Sequence, residues 1–161
     1  MIRPATPDDA GFVSAIGVAA GMFTPEETDV TDAMMAAYFA GHQDAGHLCV
    51  IDAPAGERVA MAYLEPVRAT EGTYELLMIA VTPAHQGAGR GAALLKHLEG
   101  WLAQQGQRLL LVQTSGEDDF ARTRNFYLAN GYRQCAKVAD YYAPGVAMVM
   151  FRKSIGAGRP A

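Results

Sequence analysis

The chain has 161 residues, of which 50% are apolar and 19% charged, with a formal net charge of −4 at pH 7. That length fits one domain with a sizeable core, and the acidic balance argues against a nucleic-acid partner while making a cationic amine the better electrostatic match. The absence of a membrane-length apolar run or an apolar signal region, and two cysteines (Cys49 and Cys135) far apart without metal-type spacing, fit a soluble, cytoplasmic protein with reduced thiols.

In chain order, Ile2-Arg3-Pro4 reads as a short strand. Thr6-Pro7-Asp8-Asp9 reads as a helix start, with a capping residue, a proline in the first turn and two acids there. That helix runs to about Ala20, the segment from Gly21 to Glu27 breaks it, and helical spacing resumes from Val30 to Ala40 before Gly41 ends it. His47 to Ile51 and Val59 to Pro66 form a strand pair joined through the turn-rich Asp52-Ala-Pro-Ala-Gly56. After Glu71-Gly72 comes an apolar strand ending at Val81. Leu94, Leu95, Leu98, Trp101 and Leu102 then line one face of a helix that Gly106 terminates. Leu109 to Gln113 reads as a strand, Asp118 to Asn130 as a helix stopped by Gly131, and Tyr132 to Val138 and Ala147 to Arg152 as closing strands. The order is β-α-α-β-β-β-α-β-α-β-β. Residues 1–153 make the domain, and 154–161, small and glycine-rich, are expected to be a disordered tail.

Gln86-Gly-Ala-Gly-Arg-Gly91 is the most informative stretch, because a strand feeds a glycine-rich turn that opens a helix. Alternating glycines let the backbone approach a ligand closely, the first N–H groups of the helix converge on it, and the helix dipole favours negative charge there. Arg90 can add a counter-charge. A dinucleotide fingerprint is formally matched by Gly87, Gly89 and Ala92, but the strand that follows supplies no acidic residue for a ribose. A triphosphate loop would need Gly-Lys-Ser/Thr where Gly91-Ala92-Ala93 stands.

The remaining pattern, Gln-x-x-Gly-x-Gly, resembles the pyrophosphate-binding motif of the GNAT N-acetyltransferase superfamily, whose members use acyl-coenzyme A. Two further segments agree in order and spacing. Tyr74-Glu-Leu-Leu-Met-Ile-Ala-Val-Thr-Pro83 is similar to the family's fourth strand, and Phe126-Tyr127-Leu-Ala-Asn-Gly131-Tyr132 resembles its helix signature. The resemblance spans Ile2 to Lys153. It implies an α/β (α+β) single-domain fold with a mixed, mostly antiparallel sheet flanked by helices. It also implies an acetyl-CoA-dependent N-acetyltransferase working by direct attack in a ternary complex. The acceptor is expected to be a small primary amine; a protein N-terminus or lysine, and a non-catalytic acyl-CoA-binding module, are the alternatives. Family habit and the slightly positive mean hydropathy are compatible with a homodimer.

The resemblance also assigns roles. Ile79, Ala80 and Val81 meet the pantetheine arm, and the Val81 N–H faces the acyl oxygen where the fourth strand splays from the fifth. Gln86, Gly87, Ala88, Gly89, Arg90 and Gly91 hold the diphosphate. Tyr127 occupies the position of the proton donor to the leaving thiolate. Glu75, six residues before Val81, stands where the histone acetyltransferase branch carries its general base, and strand alternation puts it on one face with Leu77, Ile79 and Val81. The plainer alternatives are a core tyrosine and a solvated glutamate. Phe120 and Thr123 depart from the asparagine and alanine of many relatives, which leaves Asn125 as the substitute coenzyme contact or a surface residue. Phe23, Glu26 and Glu27, with Tyr141 and Tyr142 of the segment 140–145, could form a cation-accepting pocket or be solvated loop and packing aromatics. His42, His47, His85 and His97 lack metal-ligand spacing, so no metal is expected.

Overall fold

Among the described residues, apolar-patterned segments separated by glycine and proline form seven strands and four α-helices. The computed structural model describes residues 1–156. In chain order the elements are β1 (Ile2–Pro4), α1 (Ala10–Ala19), α2 (Asp29–Ala37), β2 (Leu48–Asp52), β3 (Ala60–Pro66), β4 (Thr73–Val81), α3 (Arg90–Gln104), β5 (Leu109–Ser115), α4 (Ala121–Ala129), β6 (Arg133–Ala143) and β7 (Val146–Ser154). This is the order read from the sequence. The strands form one mixed sheet, ordered β1-β2-β3-β4-β5-β7-β6. The α/β class is as expected. The chain clusters into two compact units, residues 1–65 with 78–97, and residues 66–77 with 98 onward.

In the first unit, β1, β2 and β3 form an antiparallel ladder in which Asp52 pairs with Ile2 on one side and Ala60 on the other. Alternate residues of these strands, Cys49, Ile51, Met61 and Tyr63, join Val13, Ile16, Met35 and Tyr38 of the helical segments and Met78 and Ala80 of β4 in one buried cluster. Gly17 makes room for Phe23. A Cβ there would lie 2.9 Å from the Phe23 ring and 3.0 Å from the Met78 methyl. The entrance to α1 is held by Asp9, which is fully buried. Its carboxylate accepts from both terminal nitrogens of Arg3 at 2.7 and 3.0 Å and from the Thr6 N–H at 2.7 Å, and it pairs with Arg58 at 2.7 Å. The Arg3 guanidinium, ahead of the other partners, holds this carboxyl far below the usual carboxylate range.

In the second unit β7 is the centre of an antiparallel trio. Seven of its residues pair with Leu109 to Ser115 of β5. The β6 ladder on its other side is interrupted between Gln134 and Ala136 and again between Val138 and Ala143. The parallel ladder between β4 and β5 matches only Thr73, Tyr74 and Glu75 with Leu109, Leu110 and Leu111, well short of the end of either strand. Tyr127 stacks on Phe151 at 5.9 Å, and Tyr132 donates a 2.8 Å hydrogen bond to Glu99, which also takes Lys153 at 2.9 Å.

Three boundaries depart from expectation. Helix α2 stops at Ala37 and the chain widens into a π-type turn, Tyr38–His42, closed by the Gln43 N–H on the Tyr38 carbonyl at 3.0 Å. Strand β6 runs on to Ala143 through a bulge at which Asp140 has φ +56°. Of the segment 154–161, Ser154 ends β7 and the Ile155 N–H bonds the Arg108 carbonyl at 2.8 Å. The rest of that segment, 157–161, lies outside the described residues.

Candidate active site

The glycine-rich turn leaves β4 through Thr82, whose N–H bonds the Val59 carbonyl at 2.9 Å, and through a single 3₁₀ turn, Pro83–His85. The Thr82 hydroxyl and the His85 Nδ1 lie 2.9 Å apart within that turn. Gln86 then reaches back, its side-chain amide donating to the Val81 carbonyl at 3.1 Å. Gly87 and Gly89 follow with φ of +76° and +77°, a region L side chains resist. A Cβ at either would meet nothing within 4 Å, so their neighbours do not force glycine there. Ala88 is exposed, Gly91 is half-buried, and α3 begins at Arg90. The Ala93 N–H bonds the Gly89 carbonyl at 3.0 Å, so the N–H groups just before it stand at a helix start with no partner inside the helix.

Arg90 stands where a counter-charge was expected, but it is engaged. Its guanidinium donates to the Asp52 carboxylate at 2.8 Å, and the other Asp52 oxygen takes the Met1 ammonium at 3.2 Å. Sequence reading did not single out Asp52 as the partner of this loop arginine. That reading counted it as the first residue of the turn 52–56, whereas it ends β2.

On β4, burial alternates as the sequence implied. Tyr74, Leu76, Met78 and Ala80 are buried, Glu75, Ile79 and Val81 half-buried, and Leu77 exposed. Glu75 and Tyr142 belong to the second unit, and the Glu75 charge adds to burial and Tyr141 in raising the Tyr142 phenol. Tyr141 and Tyr142 meet edge to face at 4.9 Å, each 49% exposed. They sit on the strand bulge of β6, not in a loop. The Asp140 carboxylate closes the hairpin by accepting the Gly145 N–H at 2.7 Å.

Tyr127 is 2% exposed, and burial pushes its phenol up. Its ring lies among Phe126, Tyr132 and Phe151. Asn125, two positions earlier on α4, is exposed. Arg124 secures the turn before that helix through the Ser115 and Glu117 carbonyls at 2.7 and 2.8 Å. In the segment between α1 and α2, Glu26 is exposed and Glu27 accepts the Thr24 N–H at 2.8 Å, a capping contact. Phe23 packs on the core cluster of the first unit. Among the described residues no group of three or more His, Cys, Asp or Glu side chains could hold a metal ion, and no helix is long and apolar enough to cross a membrane.

The model of the acetyltransferase (GNAT) family matches residues 18–132, which takes in β4, the glycine turn and the Tyr127 helix. The chain belongs to the GNAT acetyltransferase family. A solved structure assigned to the same family, from Desulfovibrio desulfuricans, is 33% identical, covers 96% of this chain and 98% of its own, and superposes with a TM-score of 0.90. The yncA protein of Salmonella typhimurium, solved with its cofactor acetyl-CoA, shares this GNAT fold at 21% identity, with coverage of 100% and 96% and a TM-score of 0.80. So does the ribosomal-protein-S18-alanine N-acetyltransferase of Escherichia coli, at 22% identity, coverage of 99% and 96%, and a TM-score of 0.78. No curated protein matches the chain.

Proposed function

We propose that this GNAT protein transfers an acetyl group from acetyl-CoA to a primary amine on a small molecule, by direct attack within a ternary complex. The observation that carries the reading is the turn at the start of α3, where two glycines with positive φ stand in open space and are pinned in place by Gln86. Such a turn presents backbone N–H groups to a diphosphate without side-chain obstruction, which suits coenzyme A. Ile79, Ala80 and Val81 lie on the part of β4 past its three-residue ladder with β5 and lead into that turn, a position that suits contact with a pantetheine arm.

Each chemical task then has a residue. An alkylammonium with a pKa of about 10 must lose a proton before it can attack, and Glu75 accepts it, directly or through water. The amine nitrogen bonds the acyl carbon, the carbon–sulfur bond breaks, and the extra proton left on nitrogen passes to the departing thiolate to give amide and free thiol, while the Val81 N–H stabilises the oxygen's developing charge. Tyr127 donates a hydrogen bond to the departing sulfur. Tyr141 and Tyr142, half-exposed and within reach of the Glu75 charge, suit an acceptor that arrives as a cation. Of the earlier acceptor candidates Phe23 and Glu27 have structural partners, so the β6 aromatics are the stronger pair.

The decisive experiment pairs calorimetry with a thiol-release assay over a panel of amines and peptides. Coenzyme A should bind the wild-type protein and fail to bind Gly89→Asp, which places a side chain at φ +77° and a negative charge in the cradle. Thiol should be released fastest with small cationic amines. Unchanged affinity in Gly89→Asp would move the diphosphate site elsewhere, release only with peptides would make the acceptor a protein, and binding without release would make the chain a binding module.

A further inference from the structure

We infer that Asp52 positions the coenzyme loop by holding Arg90 as a strut, so that Arg90 is not the counter-charge to the diphosphate. The inference rests on the reading of 86–91 as the diphosphate cradle. Asp52 is the last residue of β2, its backbone fixed by partners in β1 and β3, and its side chain is only 3% exposed. A carboxylate buried that far resists losing its nearer partner, because the Met1 ammonium, more distant at 3.2 Å and largely exposed, would then compensate it less well. Arg90 therefore stays on Asp52 when an anion arrives nearby.

The position of Arg90 argues the same way. It is the first residue of α3, where the helix dipole opposes a cation, and the Asp52 carboxylate at 2.8 Å compensates. The loop is thus suspended between two brackets. Gln86 fastens its beginning to the Val81 carbonyl, and Arg90 fastens its end to β2. Between them only Gly87, Ala88 and Gly89 are unfastened by side chains, and those three supply backbone N–H groups to the anion. Pre-ordering this short span lowers the entropy lost on binding.

The test compares coenzyme A affinity by calorimetry, and kcat and KM for acetyl-CoA, in the wild type, Asp52→Asn, Asp52→Glu, Arg90→Ala, Arg90→Lys and the double variant Asp52→Asn with Arg90→Ala. Each variant that breaks the strut should weaken coenzyme A about tenfold, raise KM and leave kcat near wild type. The double variant should be no worse than the weaker single one, since both remove the same bracket. Arg90→Lys should retain most of the affinity. Asp52→Glu keeps the charge at low risk to folding but lengthens the strut, and should fall between. The inference is overturned if Arg90→Ala weakens binding while Asp52→Asn and Asp52→Glu bind as wild type or tighter, the pattern of an arginine that touches phosphate. Gly89→Asp in the same series separates the two levels. If it binds normally the cradle itself is misplaced, whereas its loss of binding beside unaffected Asp52 variants sinks the strut alone.

Discussion

Burial bears directly on the part that the proposed mechanism gives Tyr127. A phenol pushed upward by desolvation stays protonated throughout the neutral range, and passing its proton outright to a thiolate of pKa about 8.5 is uphill. In the proposed mechanism that leaves hydrogen-bond donation to the developing charge. Tyr127→Phe keeps the ring contacts with Tyr132 and Phe151 and should leave coenzyme affinity unchanged. Turnover should drop about 10- to 150-fold, the range expected for one hydrogen bond to a charged group. Equal losses in binding and turnover would make the residue a packing element. Glu75 answers to a different experiment. Glu75→Gln keeps the shape but cannot accept a proton, so with an acceptor of high pKa the rate should fall about 10²–10⁴-fold and the acidic limb of kcat/KM against pH should vanish. Retention of that limb at wild-type turnover would leave the proton to another carboxylate or to water. The glycine turn that opens α3 was legible in the sequence because it is a short local motif, whereas Tyr127 and Glu75 were named there by family resemblance. The state of Arg90 was not legible, because its partner Asp52 lies 38 positions away and no local pattern pairs them.

At the level of elements, periodicity and glycine or proline breaks located the seven strands and four α-helices of the described residues, although β2 is buried at every position and β6 is exposed along nearly all its length. What failed was local, and tertiary packing overrode it. The pattern favours continuing α2 to Ala40, yet Tyr38 is fully buried against Tyr63, ring centroids 5.7 Å apart, and the backbone opens into a wider turn there. Asp140 to Gly145 has turn composition and was read as a hairpin segment between strands. The bulge at Asp140 instead carries β6 through Tyr141 and Tyr142, which places both rings on a strand end. A bulge reverses alternation without any residue that announces it, so the place of Tyr141 and Tyr142 on β6 could not be read from sequence. The early end of the β4–β5 ladder was implied by family resemblance alone, because strand length says nothing about where pairing stops.

Over the whole molecule, buried ionisable groups dictate how stability follows pH. Asp9 and Asp52 are both held below the ordinary carboxylate range, Asp9 mainly by Arg3, and Asp52 by Arg90 and the Met1 ammonium against the opposing effect of burial. His47, flanked by His42, Tyr63 and Glu65, is lowered mainly by burial. In each case the unfolded chain binds the proton more readily than the folded one, so stability is lost as pH falls. His47 contributes below about pH 6.5, and the two carboxylates below about pH 4. The alkaline side has the opposite sign. Burial raises the Tyr63, Tyr127 and Tyr132 phenols and pushes the Cys49 thiol up to about 12, so ionisation favours the unfolded chain as pH climbs past about 8.5 for the thiol and 10 for the phenols. Urea midpoints should therefore form a plateau between about pH 7 and 8.5 and fall on both sides. His47→Gln should flatten the decline between about pH 6.5 and 5. Asp9→Asn should lower the whole curve, by the roughly 3–5 kcal/mol of a broken buried pair, and remove part of the loss below pH 4. A midpoint that rises steadily from pH 7 down to pH 5 would mean that these groups do not govern acid stability and that repulsion within the net negative charge does.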